Sequence, residues 1–561
     1  MTVDINDRLI AAAEKAEGAS EIMHRVANEP AGSEIPTEGG PLPSIAEWFA
    51  QVGGGIGTVP GRVDDLEQFA AGRYATKAAF DASKEEGDSA RVLEGFDAAG
   101  DGGANLFVKD ASDSVSPSDG VRAVGIATGG RWRSLLYTAG TEVKLPAGFL
   151  FTPLVRIIRT ARGYAADIDV RDLMPAVSGT TYYVDVVTGS DANAGTSGAP
   201  LKSIQAALGK ADVSIVKVAP GFYPHGSNWA SAFPAARDFI VERWEGVRPG
   251  PVINSTAVDS LTWTVNGTYS NVYQANRTTV CAVMDYSRTR RDGTPYAYQQ
   301  VSTLALCSTT DGSWYTDGAI VYVNTLENST PHREIKVFLL VAAAYFQTAK
   351  TVLVDGIEFH GGRESFYPSN SSGAGGLLLA RNCKFLYAMD ATYGNGLRLE
   401  GVAQAYLQNC EALHNARDGL NYHALAGNVP NVVEINCRGL HNGQTGAGNN
   451  NGSTMHDGGR IIRIGGEYAY NEGPNVTDVN GSLSFNAGVR AHDSRGPGAD
   501  LPNADFYTSD GTMWLCECDP SGSYYDTVQT GTGQVRVCNT PIRRASAEPA
   551  FYQQKLGALV A

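Results

Sequence analysis

Hydrophobic positions along the chain follow three rhythms in turn. Ile5, Leu9, Ala12, Ala16, Ala19, Met23 and Val26 are spaced alternately four and three apart, which predicts a helix with a heptad seam, weakened by Gly18. Pro30, Pro36, Pro41 and Pro43, mixed with Gly32, Gly39 and Gly40, end that pattern in a linker. Short helices are expected over 44–51 and 62–84, the second carrying Leu66, Phe69 and Phe80. From about Ala90 to Thr138 the texture changes to short strands between glycine turns. From Thr181 onward short runs alternate apolar and polar residues, the period of half-buried strands. A helix over 200–208 interrupts them, and the strand-rich stretch 250–340, with Trp263 and Trp314, is expected to form an inserted β segment or irregular early coils.

Beneath the alternation lies a repeat. Asn382-Cys383, Asn409-Cys410 and Asn436-Cys437 recur 27 residues apart, and Asp355-Gly356 stands 27 before the first. A fixed period of this size predicts a stacked solenoid. Equivalent positions would then lie about 4.8 Å apart, the spacing of paired strands. Asparagines at one turn would form a side-chain amide ladder, and the cysteines beside them would stack in the core. A zinc site built from Cys383, Cys410 and Cys437 is the alternative, but CxxC spacing is missing there, and Cys516-Glu517-Cys518 is no better. Strands after glycine (Gly396 to Leu399, Gly419 to His423, Gly459 to Ile462, Gly488 to His492), with Val476 to Val479, are expected to turn Arg398, Asn421, His423, Arg490 and His492 to one outer face.

Composition narrows the class. The 561 residues include 65 glycines, about 12% against the usual ~7%, and only 18% are charged against a typical ~25%, which suits many tight turns between short strands. With 43% hydrophobic residues the chain has enough apolar mass for cores, which excludes disorder for most of its length. A net charge of −15 argues against general nucleic-acid or anionic-membrane binding. No apolar run is long enough for membrane insertion. Met1 to Glu14 lacks the arrangement of a secretion signal, and eight scattered cysteines do not suggest a disulfide scaffold.

Candidate chemistry gathers between Arg417 and Arg495. Asp418-Gly419 and Asp457-Gly458 read as similar places in neighbouring coils if 443–454 is an inserted loop bordering a groove. Paired carboxyls about 5–5.5 Å apart, or roughly 6.5–9.5 Å, suit glycoside hydrolysis. Asp418, Asp457 and Asp478, with Asp493 as a fourth, are the candidate pairs. Polysaccharide elimination needs instead a base and a positive group that stabilises the enolate. His423 or His456 would be that base, and Arg460 or Arg463 the stabiliser. Asn421, Arg490, His492 and Asp493 complete the candidate substrate contacts. No GxSxG, HExxH or GxxxxGK[ST] motif occurs, which argues against an α/β-hydrolase esterase, a zincin protease and a P-loop ATPase; neither a metal nor a cofactor is called for.

Three stretches resemble a known family. Gly100-Asp101-Gly102-Gly103, then Asp119-Gly120 and Gly130-Arg131-Trp132, resemble the small adaptor domain of bacteriophage tailspikes, and Gly40 to Phe49 looks like their virion-anchoring leader. Thr181-Tyr182-Tyr183-Val184-Asp185, Pro200 to Leu208 and Pro220-Gly221-Phe222-Tyr223 resemble the entry to pectate-lyase-like right-handed parallel β-helices, with the helix capping the open end. The fold class the resemblance implies is mainly β: a right-handed parallel β-helix behind a short helical leader and a small β adaptor. The expected divisions are leader and linker over 1–60, helix plus adaptor over 61–178, β-helix entry with insertion over 179–350, 27-residue coils over 351–540, and a tail over 541–561 too brief for a separate C-terminal folding domain. The resemblance further implies a homotrimer, carried on a phage tail or baseplate protein through its N-terminal region and made in the host cytoplasm without a signal peptide. In such a virion protein it implies binding of a host surface polysaccharide and its depolymerisation, by a hydrolase or lyase route. A purely adhesive virion protein and a free bacterial β-helix enzyme are the alternatives.

Overall fold

The structure is a computed structural model that describes residues 140–160, 163–231, 233–234, 236–373, 375–443, 450–496 and 503–560, with short strands between Arg73 and Ser134. The heptad seam, the linker, the helix over 44–51 and the adaptor and leader motifs lie outside the described residues, apart from those strands. The chain divides into two compact units, one N-terminal and one holding nearly everything after Leu135. In the first, Arg73–Tyr74 pairs parallel to Ala90–Leu93, which pairs antiparallel to Asn105–Asp110, followed by Arg131–Ser134. A strand at Arg73–Tyr74 replaces part of the helix expected over 62–84.

The second unit is a parallel β-helix. Each coil visits three sheets in order, and the sheets hold twelve, nine and eight strands. The first runs from Thr180–Val184 to Ala550–Phe551, the second from Gly221–Tyr223 to Asp519–Ser521, and the third from Tyr345–Gln347 to Tyr525–Thr530. A short helix, Ile204–Leu208, is capped by Ser203 and buries Ile204, Ala207 and Leu208 on the first coil. It covers the strand edges that the solenoid's end would otherwise expose.

The turn from first to second sheet explains the asparagine repeat. Gly356, Asn382, Asn409, Asn436, Gly465, Gly488, Glu517 and Asn539 all sit there with φ between 49° and 71°. This left-handed region admits glycine freely and asparagine more readily than other residues. Asn382 donates to Asp355 at 3.1 Å, Asn409 to Asn382 at 3.4 Å and Asn436 to Asn409 at 3.0 Å, which is the amide ladder. Cys383, Cys410 and Cys437 are fully buried in the lumen beside it. The frame differs by one residue at its start: Gly356, not Asp355, occupies the turn position, because Glu358 pairs with Lys384 and Phe359 with Phe385. Successive coils of the first sheet are 26, 27, 27, 29, 23 and 29 residues apart from Thr351 onward, so the period of 27 holds only where the loops before and after the third sheet compensate in length.

Two of the three outer faces are covered. On the first sheet Leu353, Leu379, Tyr406, Val433, Ile462, Phe485 and Trp514 point outward and form a second core with Val143, Phe149, Phe151, Val155, Ile157 and Val170. Residues 140–177 therefore belong to the solenoid unit, not to an adaptor. The tail also folds: Ala550–Phe551 extends the first sheet, and Leu556–Val560 pairs with Gly140–Val143. On the second sheet Leu386, Leu413, Leu440 and Ala469 pack against Ala257, Cys281, Ala282, Met284 and Phe338, part of a segment of antiparallel strands inserted between Val252–Ser255 and Tyr345–Gln347. The uncovered edge of that sheet carries a ladder of alternating charge: Glu358, Lys384, Glu411, Arg438, Glu467, Arg490 and Asp519 are successive strand partners, with N–O distances of 3.1 to 3.8 Å.

Candidate functional site

Unlike the other two, the third sheet keeps its polar outer face. Leu397, Leu399, Leu420 and Tyr422 are buried in the lumen, which turns the residues between them outward. One row runs Tyr345, Tyr367, Arg398, Asn421 and Thr454, and the next runs Ser369, Glu400 and His423, with His456 one residue past the last paired position. Five coils at about 4.8 Å make a strip on the order of 20 Å long. Tyr345 and Tyr367 lie ring to ring at 5.1 Å, and Tyr393, 41% exposed, stands 4.6 Å from the Arg398 guanidinium.

Two linked groups occupy the strip. In the first, Arg398 bridges Glu364 and Glu400, donating to Glu364 at 3.1 Å, while Arg363 donates to Glu364 at 2.8 Å and Tyr367 donates to Glu400. Burial pushes the Glu364 carboxyl up despite both arginines, and burial with the neighbouring Glu400 pushes up the Tyr367 hydroxyl. In the second, His423 and His456 stack at 4.0 Å, and Asp457 Oδ2 lies 3.2 Å from His423 Nδ1. An ionised carboxylate only accepts, so in this contact Nδ1–H donates, and Nε2 has no hydrogen-bond partner among the described residues. Burial, reinforced by His423, holds His456 below its ordinary value, while Asp418 and Asp457 pull the other way. Asp418 accepts from Asn421 at 2.5 Å and from the Asn451 amide at 2.8 Å, and burial pushes its carboxyl up.

The cluster drawn from the sequence is not one face. Asp418, Asn421, His423, His456 and Asp457 come together on the third sheet. Asp418 enters that sheet before its strand and Asp457 leaves it after the next one, at φ 59°, so the two Asp-Gly pairs occupy opposite edges and not equivalent places. Asp478 and Arg463 lie inside the lumen, both fully buried and bonded at 2.9 Å through both carboxylate oxygens. Arg463 fell on the wrong side because its strand is apolar on both faces: Ile461 lines the lumen, and Ile462 and Ile464 sit under residues 140–177. Arg460 opens that same first-sheet strand. Arg490, His492 and Asp493 belong to the second sheet and its following turn, where His492 is held between Glu467 at 3.0 Å and Asp493 at 2.8 Å. Glu364, Glu400, Tyr345, Tyr367 and Tyr393 were missed. The signal for Glu400 was the alternation Leu397-Arg398-Leu399-Glu400, which turns two opposite charges to one face.

A second ladder also escaped notice. Tyr387, His414, His441 and Tyr470 follow the second-sheet strands at φ 58–59° and stack at 5.4, 5.1 and 4.9 Å. Behind them Asn415 donates to Asn442, and Asn442 to Asn471, each at 2.9 Å, all three buried. Burial lowers His414, although Asp292 at 2.6 Å opposes it, and holds His441 down at about 4.

No family model matches the chain, and no curated protein does. Among solved structures, a xylose complex of XylC is 10% identical, over 65% of this chain and 76% of that one, with a TM-score of 0.33. The enzymatically active domain of tailspike protein 4 of bacteriophage CBA120 is 12% identical, over 91% and 53%, with a TM-score of 0.23. The tailspike gp49 of Acinetobacter baumannii bacteriophage Fri1, a capsular polysaccharide depolymerase, is 11% identical, over 86% and 76%, with a TM-score of 0.24. Likeness at this level carries no argument about the chemistry of this chain, which rests on its own geometry.

Proposed function

We propose that the chain is a phage tailspike that binds a host surface polysaccharide along the third sheet and cleaves it there, with His423 as the general base. The observation that carries this reading is the His423–Asp457 contact beside the Arg398–Glu400 pair on the uncovered face. Asp457 orients the imidazole, Arg398, paired with Glu364 and Glu400, offers N–H donors one coil away, and the tyrosines offer stacking surfaces for sugar rings. This arrangement favours elimination over the carboxylate pairs considered from sequence, because Asp478 is turned into the lumen and Asp418 is bound by Asn421 and Asn451. Hydrolysis remains the second reading through Glu364 and Glu400, which share Arg398; against it stands the complete burial of Glu364. The heptad seam at Ile5 to Val26 supports assembly as a homotrimer, and the leader-like Gly40 to Phe49 supports attachment to a phage tail. Among the described residues, no helix is long and apolar enough to cross a membrane.

The test is incubation with capsule and lipopolysaccharide from strains to which the protein adsorbs. Absorbance near 235 nm marks elimination, new reducing ends without it mark hydrolysis, and unchanged polymer size marks adhesion alone. His423→Ala and Asp457→Asn are expected to lower cleavage by roughly 10²–10⁴-fold while polymer binding persists. Wild-type turnover in His423→Ala would remove it as the base.

A further inference from the structure

A second polar groove lies at the corner between the first and second sheets, away from the third-sheet strip. It encloses about 720 Å³, within the ~300–1,000 Å³ typical of small-ligand sites. Its floor is a ladder of successive strand partners, Tyr183, Lys217, Glu242, Asp355 and Arg381. Asp169 and Arg171, at the short 3-10 helix Val170–Leu173, form one wall. The charged groups fasten one another. Arg171 bonds Glu242 at 2.5 Å and Asp355 at 3.2 Å, Lys217 meets Glu242 at 3.1 Å, and Arg381 donates to Asp169 at 3.1 Å. Their oxygens and N–H groups are therefore held at set positions, a pre-organised array for hydroxyl pairs.

Two aromatic rings in the groove are not fastened in this way. Tyr183 and Trp244 meet edge to face at 4.7 Å, both half-buried, and neither the Tyr183 hydroxyl nor the Trp244 indole N–H has a hydrogen-bond partner among the described residues. A paired aromatic platform whose polar ends are not taken up by protein groups, set in a groove of fixed polar groups, fits a ligand with an apolar face and a hydroxyl rim. Sugars have that form. Acidic side chains outnumber basic ones six to four along the groove, which disfavours a uronate.

We infer that this corner groove is a second glycan site, taking neutral or amino-sugar pyranosides on the Tyr183–Trp244 platform, independent of cleavage at the third sheet. The test is saturation-transfer NMR on the full chain with methyl α-glucoside, methyl β-galactoside, glucosamine and glucuronate as probes. Transfer to at least one of the first three is expected, with little to glucuronate. It should fall at least five-fold in Tyr183→Ala and in Trp244→Leu, which keeps apolar volume at the floor, and persist in His423→Ala. Far-UV circular dichroism establishes that each variant is folded. No transfer to the three probes in the wild-type protein overturns the inference. So does transfer unchanged in both groove variants, or glucuronate binding more tightly than the others. Loss in His423→Ala with retention in the groove variants would move the sugar to the third sheet and likewise overturn it.

Discussion

Arg463→Met is the most direct probe of the solenoid's interior. Arg463 is fully buried and donates to Ser453 at 3.0 Å, to Asn486 at 3.1 Å and to both oxygens of Asp478 at 2.9 Å. Glu434 Oε2 is 3.8 Å away and keeps its own donors, Tyr422 and Ser453 at 2.8 and 2.7 Å and Tyr468. Methionine fills most of the volume but leaves Asp478 a buried carboxylate without its counter-ion. Removing one partner of such a pair costs about 3–5 kcal/mol. Replacing both, in Arg463→Met/Asp478→Leu, should recover most of that, since an apolar pair of similar volume is often neutral. Urea unfolding followed by circular dichroism reads both effects at fixed ionic strength. If Arg463→Met unfolds within about 1 kcal/mol of wild type, or if the double variant is no more stable than the single one, then Arg463 does not hold a buried charge.

Three further outcomes follow from the ladders. Asn409→Ala should lose about 1–2 kcal/mol more than Asn409→Gly, because both delete the amide ladder but only alanine is forced to φ 53°; equal losses in denaturant would show that the turn carries no strain. Glu411→Lys places a cation between Lys384 and Arg438, and should cost about 1–2 kcal/mol at low salt from two lost pairs of ~0.2–1 kcal/mol each plus repulsion, shrinking in 1 M NaCl; a salt-independent change would point to packing. His441, held at about 4, contributes stability that is present above the ordinary histidine value near 6.5 and is lost as pH falls toward 4; His441→Tyr, matching Tyr470 above it, should flatten thermal stability across that range, and an unchanged pH profile would exclude His441 as a source.

What could be read from the chain alone was whatever the coil repeats at a fixed spacing. Each first turn needs a left-handed residue, so Asn382, Asn409 and Asn436 recur, and the cysteine after each must be small and buried. The charge ladder was equally legible, two residues past each asparagine, as Lys384, Glu411 and Arg438. The repeat fades after Asn436 because the loops after the third sheet no longer offset the alternating lengths of those before it, and the turn residue becomes Gly465, Gly488 and then Glu517. Side-chain direction was harder, since alternation assigns a face only when one face is polar. The strand Arg460–Ile464 is apolar on both, which hid Arg463 in the lumen, whereas Leu397–Glu400 alternates cleanly and would have revealed Glu400.

The location of the candidate site follows from which surfaces the fold leaves open. A parallel β-helix has three outer faces, and any apolar face must find a cover. Here Tyr406, Phe485 and Trp514 commit the first face to residues 140–177, and Leu386, Leu413 and Leu440 commit the second to the inserted segment. The charges left at the second sheet's edge neutralise one another rung by rung, which leaves few free partners for a polymer. On the third sheet no apolar cover forms among the described residues: Ser369, Asn421 and Thr454 are buried under polar neighbours, while tyrosines, His423 and half-buried ion pairs reach the surface. Because that face is built from parallel strands, its positions recur at about 4.8 Å, so a polysaccharide laid along the axis passes Tyr345, Tyr367 and Arg398 in turn before it reaches His423 and Asp457. A chain lying across the strands instead would meet that dyad only once, and shortening the polymer would then leave the rate per molecule unchanged. Binding along the axis predicts that cleavage weakens steeply once an oligosaccharide is too short to reach from Tyr345 to His456, and a rate independent of length would contradict it.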